Sequence, residues 1–87
     1  MSWRVELTPA AERALSAIHE PDHSRLRRLL TSLASHARPF GIKSLGRGMH
    51  RVRVGDWRVI YEIDDASLVV RIARIVRRNE RTYSRLI

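Results

Sequence analysis

The chain has 87 residues, 44% of them hydrophobic, which is enough apolar material for one small core and excludes both a disordered tail and a two-domain protein. Seventeen Lys and Arg against nine Asp and Glu give a net charge of +8, which favours a polyanionic partner such as nucleic acid. Cysteine is absent and no apolar run reaches the length of a signal-peptide core or a membrane span, so we expect one cytoplasmic domain over residues 1–87 without disulfides or thiolate metal sites.

The four histidines are dispersed and do not predict a metal site. His19 and His23 have the i,i+4 spacing of two ligands on one helix, but Pro21 between them would interrupt that helix. We therefore expect neither a metal nor another cofactor.

The first third of the chain predicts a strand and two helices. Residues 3–7 alternate as in a half-buried strand. Thr8 and Pro9 then supply an N-cap and a proline at the first helical position, and this helix ends before Pro21. Asp22 is expected to cap a second helix. The apolar residues of that helix follow i, i+3, i+4, i+7 spacing and are Leu26, Leu29, Leu30, Leu33 and Ala37.

We expect the basic residues of the second helix to lie on a solvated helix face and those that follow it to lie in a loop. Arg25, Arg27 and Arg28 lie off the apolar stripe, so we expect them on a solvated helix face. The exit from the helix is marked by Arg38-Pro39 and Gly41. A loop is then predicted that contains Lys43, Ser44, Gly46, Arg47 and Gly48.

A β-hairpin is predicted around Gly55-Asp56, because runs of alternating β-branched and charged residues flank this pair. Glycine in first place suits a type II′ turn, which would pair Val54 with Trp57 and Arg53 with Arg58. One face of the hairpin is then apolar, with Val52, Val54, Trp57, Val59 and Tyr61. The other face carries Arg51, Arg53 and Arg58. Like charges directly opposite one another are destabilising, so these arginines indicate a bound anion such as a polyphosphate backbone.

A further strand is predicted over residues 68–75, after a turn formed by residues 64–67. Pairing Ile63 with Leu68 would place Arg71 opposite Ile60 and Ala73 opposite Arg58, so that Arg71 joins the arginine face. The predicted fold is α+β with the order β-α-α-β-β-β. Its two N-terminal helices pack on the apolar face of a small, mostly antiparallel sheet.

This order and these motifs resemble the RelE/ParE superfamily of toxins from bacterial toxin–antitoxin systems. The resemblance spans nearly the whole chain. Its most specific part is the string basic-X-basic-X-Gly-Asp-aromatic-Arg-X-Ile-Tyr. The residues that carry it are Trp3-Arg4-Val5, Lys43-Ser44-Leu45, the run from Arg51 to Tyr61, Arg77-Arg78 and Tyr83. The resemblance implies the RelE-like fold of microbial RNases.

The superfamily contains two activities. RelE-type members are ribosome-dependent endoribonucleases that cut mRNA in the A site, whereas ParE-type members inhibit DNA gyrase without nuclease residues. The catalytic positions of the RelE type match Arg51, Arg53, Arg58, Arg78 and Tyr83 of this chain, which favours the nuclease. The chain departs from the pattern by having arginine where lysine is common on the second strand. It also has Val76-Arg77-Arg78 in place of Gly-His-Arg, and so lacks a histidine acid or base there.

The chemistry of RNA cleavage, which needs a base, positive charge for the phosphorane and charge or an acid at the leaving oxygen, indicates a role for each matched residue. Tyr83 is expected to act as the base, since neighbouring guanidiniums favour its phenolate. The arginines at 51, 53 and 58 would hold the phosphate and stabilise developing charge, and Arg78 would act on the leaving oxygen, mostly electrostatically. Further RNA contacts are expected from Lys43, Arg47, Arg71 and Arg77.

The expected partners are a cognate antitoxin and the ribosome with its mRNA and rRNA, without a membrane, and the resemblance permits a heterotetramer with the antitoxin. Two other interpretations stay open at this point: a gyrase-directed toxin and a non-catalytic basic binding module. Tyr83 and Arg78 distinguish the nuclease from both alternatives, because only the nuclease needs these two side chains. In either alternative Tyr83 would simply pack its ring on the edge of the sheet.

Overall fold

The computed structural model describes residues 2–78, which form two helices and one five-stranded sheet. The elements in chain order are β1 (Arg4–Leu7), α1 (Pro9–Ala17), α2 (Asp22–Ser32), β2 (Lys43–Gly46), β3 (Met49–Val54), β4 (Trp57–Asp64) and β5 (Val69–Arg77). The strand order in the sheet is β1-β5-β4-β3-β2; β1 is parallel to β5 and the other neighbours are antiparallel. The predicted α+β fold is confirmed, with one more strand than expected. Neither helix is long and apolar enough to cross a membrane.

The additional strand is β2, so the prediction of a loop from Lys43 to Gly48 was wrong. This strand pairs with β3 through a two-residue turn, Arg47-Gly48, with φ angles of +54° and +78°. Two successive positive φ angles are typical of a type I′ hairpin turn. The glycines at 46 and 48 were the sequence signal for this turn, and β2 is an exposed edge strand.

The two helices begin differently. As predicted, Thr8 caps α1: its Oγ1 accepts a hydrogen bond from the backbone N–H of Ala11 at 3.2 Å, and it also donates to the carbonyl of Ala73 at 2.8 Å. The prediction that Asp22 caps α2 was wrong, because the carboxylate of Glu20 accepts the first-turn backbone N–H of Ser24 at 2.7 Å. The carboxylate of Asp22 instead accepts a hydrogen bond from Nε1 of Trp57 at 2.9 Å.

The core lies between the helices and the predicted apolar face of the sheet, which confirms that assignment. Tyr61 is its largest fully buried residue, and its hydroxyl donates to the carbonyl of Ala37 at 3.0 Å. Burial raises the pKa of Tyr61 to about 12. Other buried residues of the core are Ala11, Ile18, Leu26, Leu30, Leu33, Val52, Val59, Ile63, Val70, Ile72 and Ile75.

The register of β3 with β4 is the predicted one, and Gly55 has φ +57° while Asp56 does not have a positive φ, as a type II′ turn requires. The predicted register of β4 with β5 was wrong by two residues, since Ile63 pairs with Val70. The register shifts again between Ile60 and Tyr61, which leaves Ala73 as an extra residue in β5. Because side chains alternate along a strand, this bulge reverses the face of every later residue of β5.

Candidate nucleic-acid interface

Basic residues of four strands meet on the sheet face opposite the helices, here called the outer face. Arg53 pairs with Arg58, and Lys43 pairs with Arg51 in the next row of residues. That row crosses the whole of β2 to β5 and consists of Lys43, Arg51, Ile60 and Arg74. The outer face therefore concentrates positive charge, as the hairpin pattern predicts.

Arg53 and Arg58 form a pair of like charges directly opposite one another. Directly opposite residues of antiparallel strands have Cα atoms about 4.5–5.5 Å apart, so the two side chains leave the sheet side by side. Arg53 is exposed and Arg58 is half-buried. Such a pair is suited to hold one anion between two planar forks of N–H donors.

Arg78, the first residue after β5, adds a third arginine at the same end of the sheet, and continued alternation from Arg74 and Val76 assigns it to the outer face. Its backbone N–H donates to the carbonyl of Asp56, which fastens the end of β5 to the β3–β4 turn. Arg58 pairs with Val76, so Arg78 lies two residues, or about 6.8 Å along the strand, beyond the partner of Arg58. We call the group formed by Arg53, Arg58 and Arg78 the arginine corner. Arg51 lies one row away from it.

Arg71 also lies on the outer face, but not where it was predicted. It pairs with Glu62 instead of Ile60, and its guanidinium makes ion pairs with Glu62 at 2.8 Å and with Glu6 at 3.7 Å. Glu6 also pairs with Arg4 at 3.1 Å, so the far end of the outer face, with Asp64, holds three carboxylates against two guanidiniums. The positive charge of Arg71 is therefore already compensated within the fold.

The remaining basic residues differ in position. The guanidinium of Arg77 lies 5.6 Å from the centre of the Trp57 ring, on the helix side of the sheet. Arg47 is exposed in the β2–β3 turn. Arg74 is exposed on the outer face, where sequence reasoning missed it because the bulge at Ala73 was not foreseen. Tyr83 lies outside the described residues.

The described part of the interface offers cations rather than an acid–base pair. His50, the histidine in the sheet, lies on the helix side and stacks on Tyr61 with ring centres 6.0 Å apart. Across residues 2–78, no group of three His, Asp or Glu side chains is arranged to hold a metal ion. The outer face can therefore bind a phosphate and stabilise negative charge on it.

Comparisons with known proteins identify the family and the fold of the chain. A family model described as the ParE toxin of the type II toxin–antitoxin system parDE matches residues 5–82. No curated protein sequence matches the chain.

Solved structures of RelE toxins share the fold. The RelE–RelB complex of Pyrococcus horikoshii contains a chain with 27% identity and a TM-score of 0.82, over 91% of this chain and 98% of that one. The RelBE2 complex of Mycobacterium tuberculosis matches with 26% identity and a TM-score of 0.78, over 90% and 100%. The isolated RelE toxin of E. coli, at 13% identity and a TM-score of 0.79 over 99% and 100%, supports the fold alone.

Proposed function

The chain belongs to the ParE toxin family of type II toxin–antitoxin systems and has the fold of RelE toxins, and from this premise we propose that it is a ribosome-dependent endoribonuclease that cuts mRNA in the A site. The observation that carries the proposal is the arginine corner with Arg51 beside it. A gyrase inhibitor does not need this concentration of guanidiniums on an open sheet face. An enzyme that stabilises a phosphorane does.

In the proposed reaction the ribose 2′-oxygen attacks the adjacent phosphorus while the bond from phosphorus to the 5′-oxygen breaks. A 2′,3′-cyclic phosphate and a free 5′-hydroxyl result, and DNA is not cut because it lacks the nucleophile. Arg53 and Arg58 hold the non-bridging oxygens, and Arg51 extends this contact by one row. Each such contact is worth about 2–4 kcal/mol in the transition state.

Tyr83 and Arg78 are assigned to the 2′-hydroxyl and to the leaving oxygen, respectively. Tyr83, as its phenolate, takes the proton of the 2′-hydroxyl. Arg78 stabilises the negative charge on the leaving 5′-oxygen until that oxygen takes a proton from water. Tyr83 stands five positions after Arg78, a length of chain that spans at most about 18 Å. Since this set contains no histidine pair, the free protein should be a poor nuclease, and the ribosome supplies the alignment of the substrate.

The test is single-turnover cleavage on programmed ribosomes with Tyr83→Phe, which keeps the ring and removes the hydroxyl. We expect the rate to fall by about 10²-fold or more, with ribosome affinity unchanged. The matched control is Arg28→Ala, a basic residue on the exposed side of α2, which should leave the rate unchanged. A Tyr83→Phe protein that cleaves at the wild-type rate would remove Tyr83 from the mechanism.

A second candidate function follows from the family model, whose description is that of a ParE toxin. In that case the arginines of the outer face contact gyrase or DNA. A supercoiling assay separates the two, because inhibition of gyrase by the purified protein, with mRNA left intact in induced cells, would replace the nuclease proposal.

We also propose that an antitoxin silences this protein, as the matching structures from Pyrococcus and Mycobacterium are toxin–antitoxin complexes. The net charge of +8 favours a partner with an acidic amphipathic segment. Purification from the native host should yield the complex. Recovery of a lone monomer would contradict this.

A further inference from the structure

The turn that precedes β2 presents an aromatic ring to solvent. Phe40 is fully exposed, with a relative accessibility of 105%, and it is the most exposed large hydrophobic residue of the described chain. A phenylalanine ring in water lacks the stabilisation that burial of its apolar surface would give, so a contact that covers this ring would be favourable.

Contacts on both sides fix the turn that carries Phe40. Before it, Arg38 holds Asp65 with two hydrogen bonds, at 2.9 and 3.2 Å. After it, the N–H of Ile42 donates to the carbonyl of Pro39 at 3.2 Å, and the side chain of Ile42 is half-buried against the core. Phe40 therefore projects from a preorganised turn, which lowers the entropy cost of any contact that its ring makes.

The charge of the surrounding chain selects the kind of partner. From Phe40 to Gly55 the sequence contains no Asp or Glu, whereas four of these residues, on β2, β3 and the turn between them, are Lys or Arg. Phe40 stands three residues before Lys43, which begins the basic row of the outer face. Three residues of chain span at most about 11 Å, so the ring of Phe40 lies within reach of that row. Proteins bind single-stranded nucleic acid by combining an aromatic ring with a cationic track: the cations follow the phosphates and the ring stacks on a base.

We propose that Phe40 is a base-stacking residue for single-stranded RNA whose backbone lies along Lys43 and Arg51. This inference rests on the proposed function, and it adds to the outer face a contact that reads a base instead of a phosphate. Stacking accepts any base, so the contact contributes affinity with little sequence preference.

The experiment compares two RNA probes, a short oligouridylate and the same strand with abasic ribose residues, by equilibrium binding to the full chain. Phe40→Ala should weaken binding of the intact strand by about tenfold and leave binding of the abasic strand unchanged, because only the intact strand can stack. Phe40→Trp should keep wild-type affinity. Leu45→Ala is the matched control, since it removes an exposed apolar side chain of β2 that is not aromatic.

Salt dependence separates this contact from the phosphate contacts. Phe40→Ala should leave the slope of log affinity against log salt unchanged, whereas Arg53→Ala should reduce the slope by about 0.7 and weaken binding of both RNA strands equally.

If Phe40→Ala binds both strands like the wild type while Arg53→Ala is impaired, the stacking proposal fails and the outer face keeps its role. If neither variant affects binding, both proposals fail. A Phe40→Ala protein that sediments as a monomer where the wild type is a dimer would assign the ring to a second copy of the chain and overturn the stacking proposal.

Discussion

At the scale of single residues, Trp57 connects the hairpin to the helices through one hydrogen bond. Its Nε1–H donates to Asp22 at 2.9 Å, and its ring lies against Arg77. Trp57→Phe keeps an aromatic ring but leaves the partly buried carboxylate of Asp22 without this donor. We expect the free energy of unfolding to fall by about 1–2 kcal/mol in urea titrations. Asp22→Asn keeps an acceptor and should lose less; an equal loss in both variants would indicate that charge, not the hydrogen bond, matters.

The buried hydroxyl of Tyr61 predicts a loss of stability in alkali. Its pKa is about 12 in the folded protein, against about 10 in an unfolded chain. The unfolded state therefore loses its proton first, so stability is fully present below pH ~10 and falls as the pH rises toward 12. The decline should reach about 2–3 kcal/mol at its end.

Tyr61→Phe isolates this effect. The variant loses the hydrogen bond to Ala37 and is less stable by about 1 kcal/mol at neutral pH. It should lack the part of the alkaline decline that comes from Tyr61, as measured by chemical denaturation at a series of pH values. A wild-type curve and a variant curve that stay parallel up to pH ~12 would contradict the assignment.

At the scale of elements, one hydroxyl organises both the start of α1 and the bulge of β5. Thr8 receives the N–H of Ala11 and donates to Ala73, the residue that has no partner in β4. Thr8→Val preserves the shape and removes the hydroxyl, so we expect the free energy of unfolding to fall by about 1–2 kcal/mol. Thr8→Ser retains both hydrogen bonds and serves as the control. Thermal unfolding measures the difference, and equal melting temperatures for Val and Ser would refute the role of the hydroxyl.

How far the sequence predicts an element depends on how local its determinants are. The β3–β4 register follows from Gly55-Asp56 alone, and it was predicted correctly together with the faces of Arg53 and Arg58. The register of β5 depends on Leu68 at φ +54° and on the bulge, and neither has a local signal in the sequence. Arg74 was missed for this reason. The parallel pairing of β1 with β5 joins segments that are distant in sequence, so local sequence patterns do not predict it.

At the scale of the whole molecule, binding to ribosomes should depend steeply on salt, because several guanidiniums displace counterions from phosphates. Arg53→Ala and Arg58→Ala should each flatten this dependence, as measured by cosedimentation over a range of salt concentrations. Arg28→Ala, on the opposite side of the protein, should leave the slope unchanged. If all three variants behave alike, the charge of the whole protein and not the outer face determines binding.

The ion pairs of Arg71 have a consequence for kinetics. Glu6 and Glu62 with Asp64 occupy one end of the outer face, and the arginine corner occupies the other. The face is therefore an electric dipole that lies along the strands, superimposed on a net charge of +8. In the electric field of a polyanion, this dipole experiences a torque before the two molecules touch. The torque turns the arginine corner toward the phosphates and raises the fraction of encounters that lead to binding.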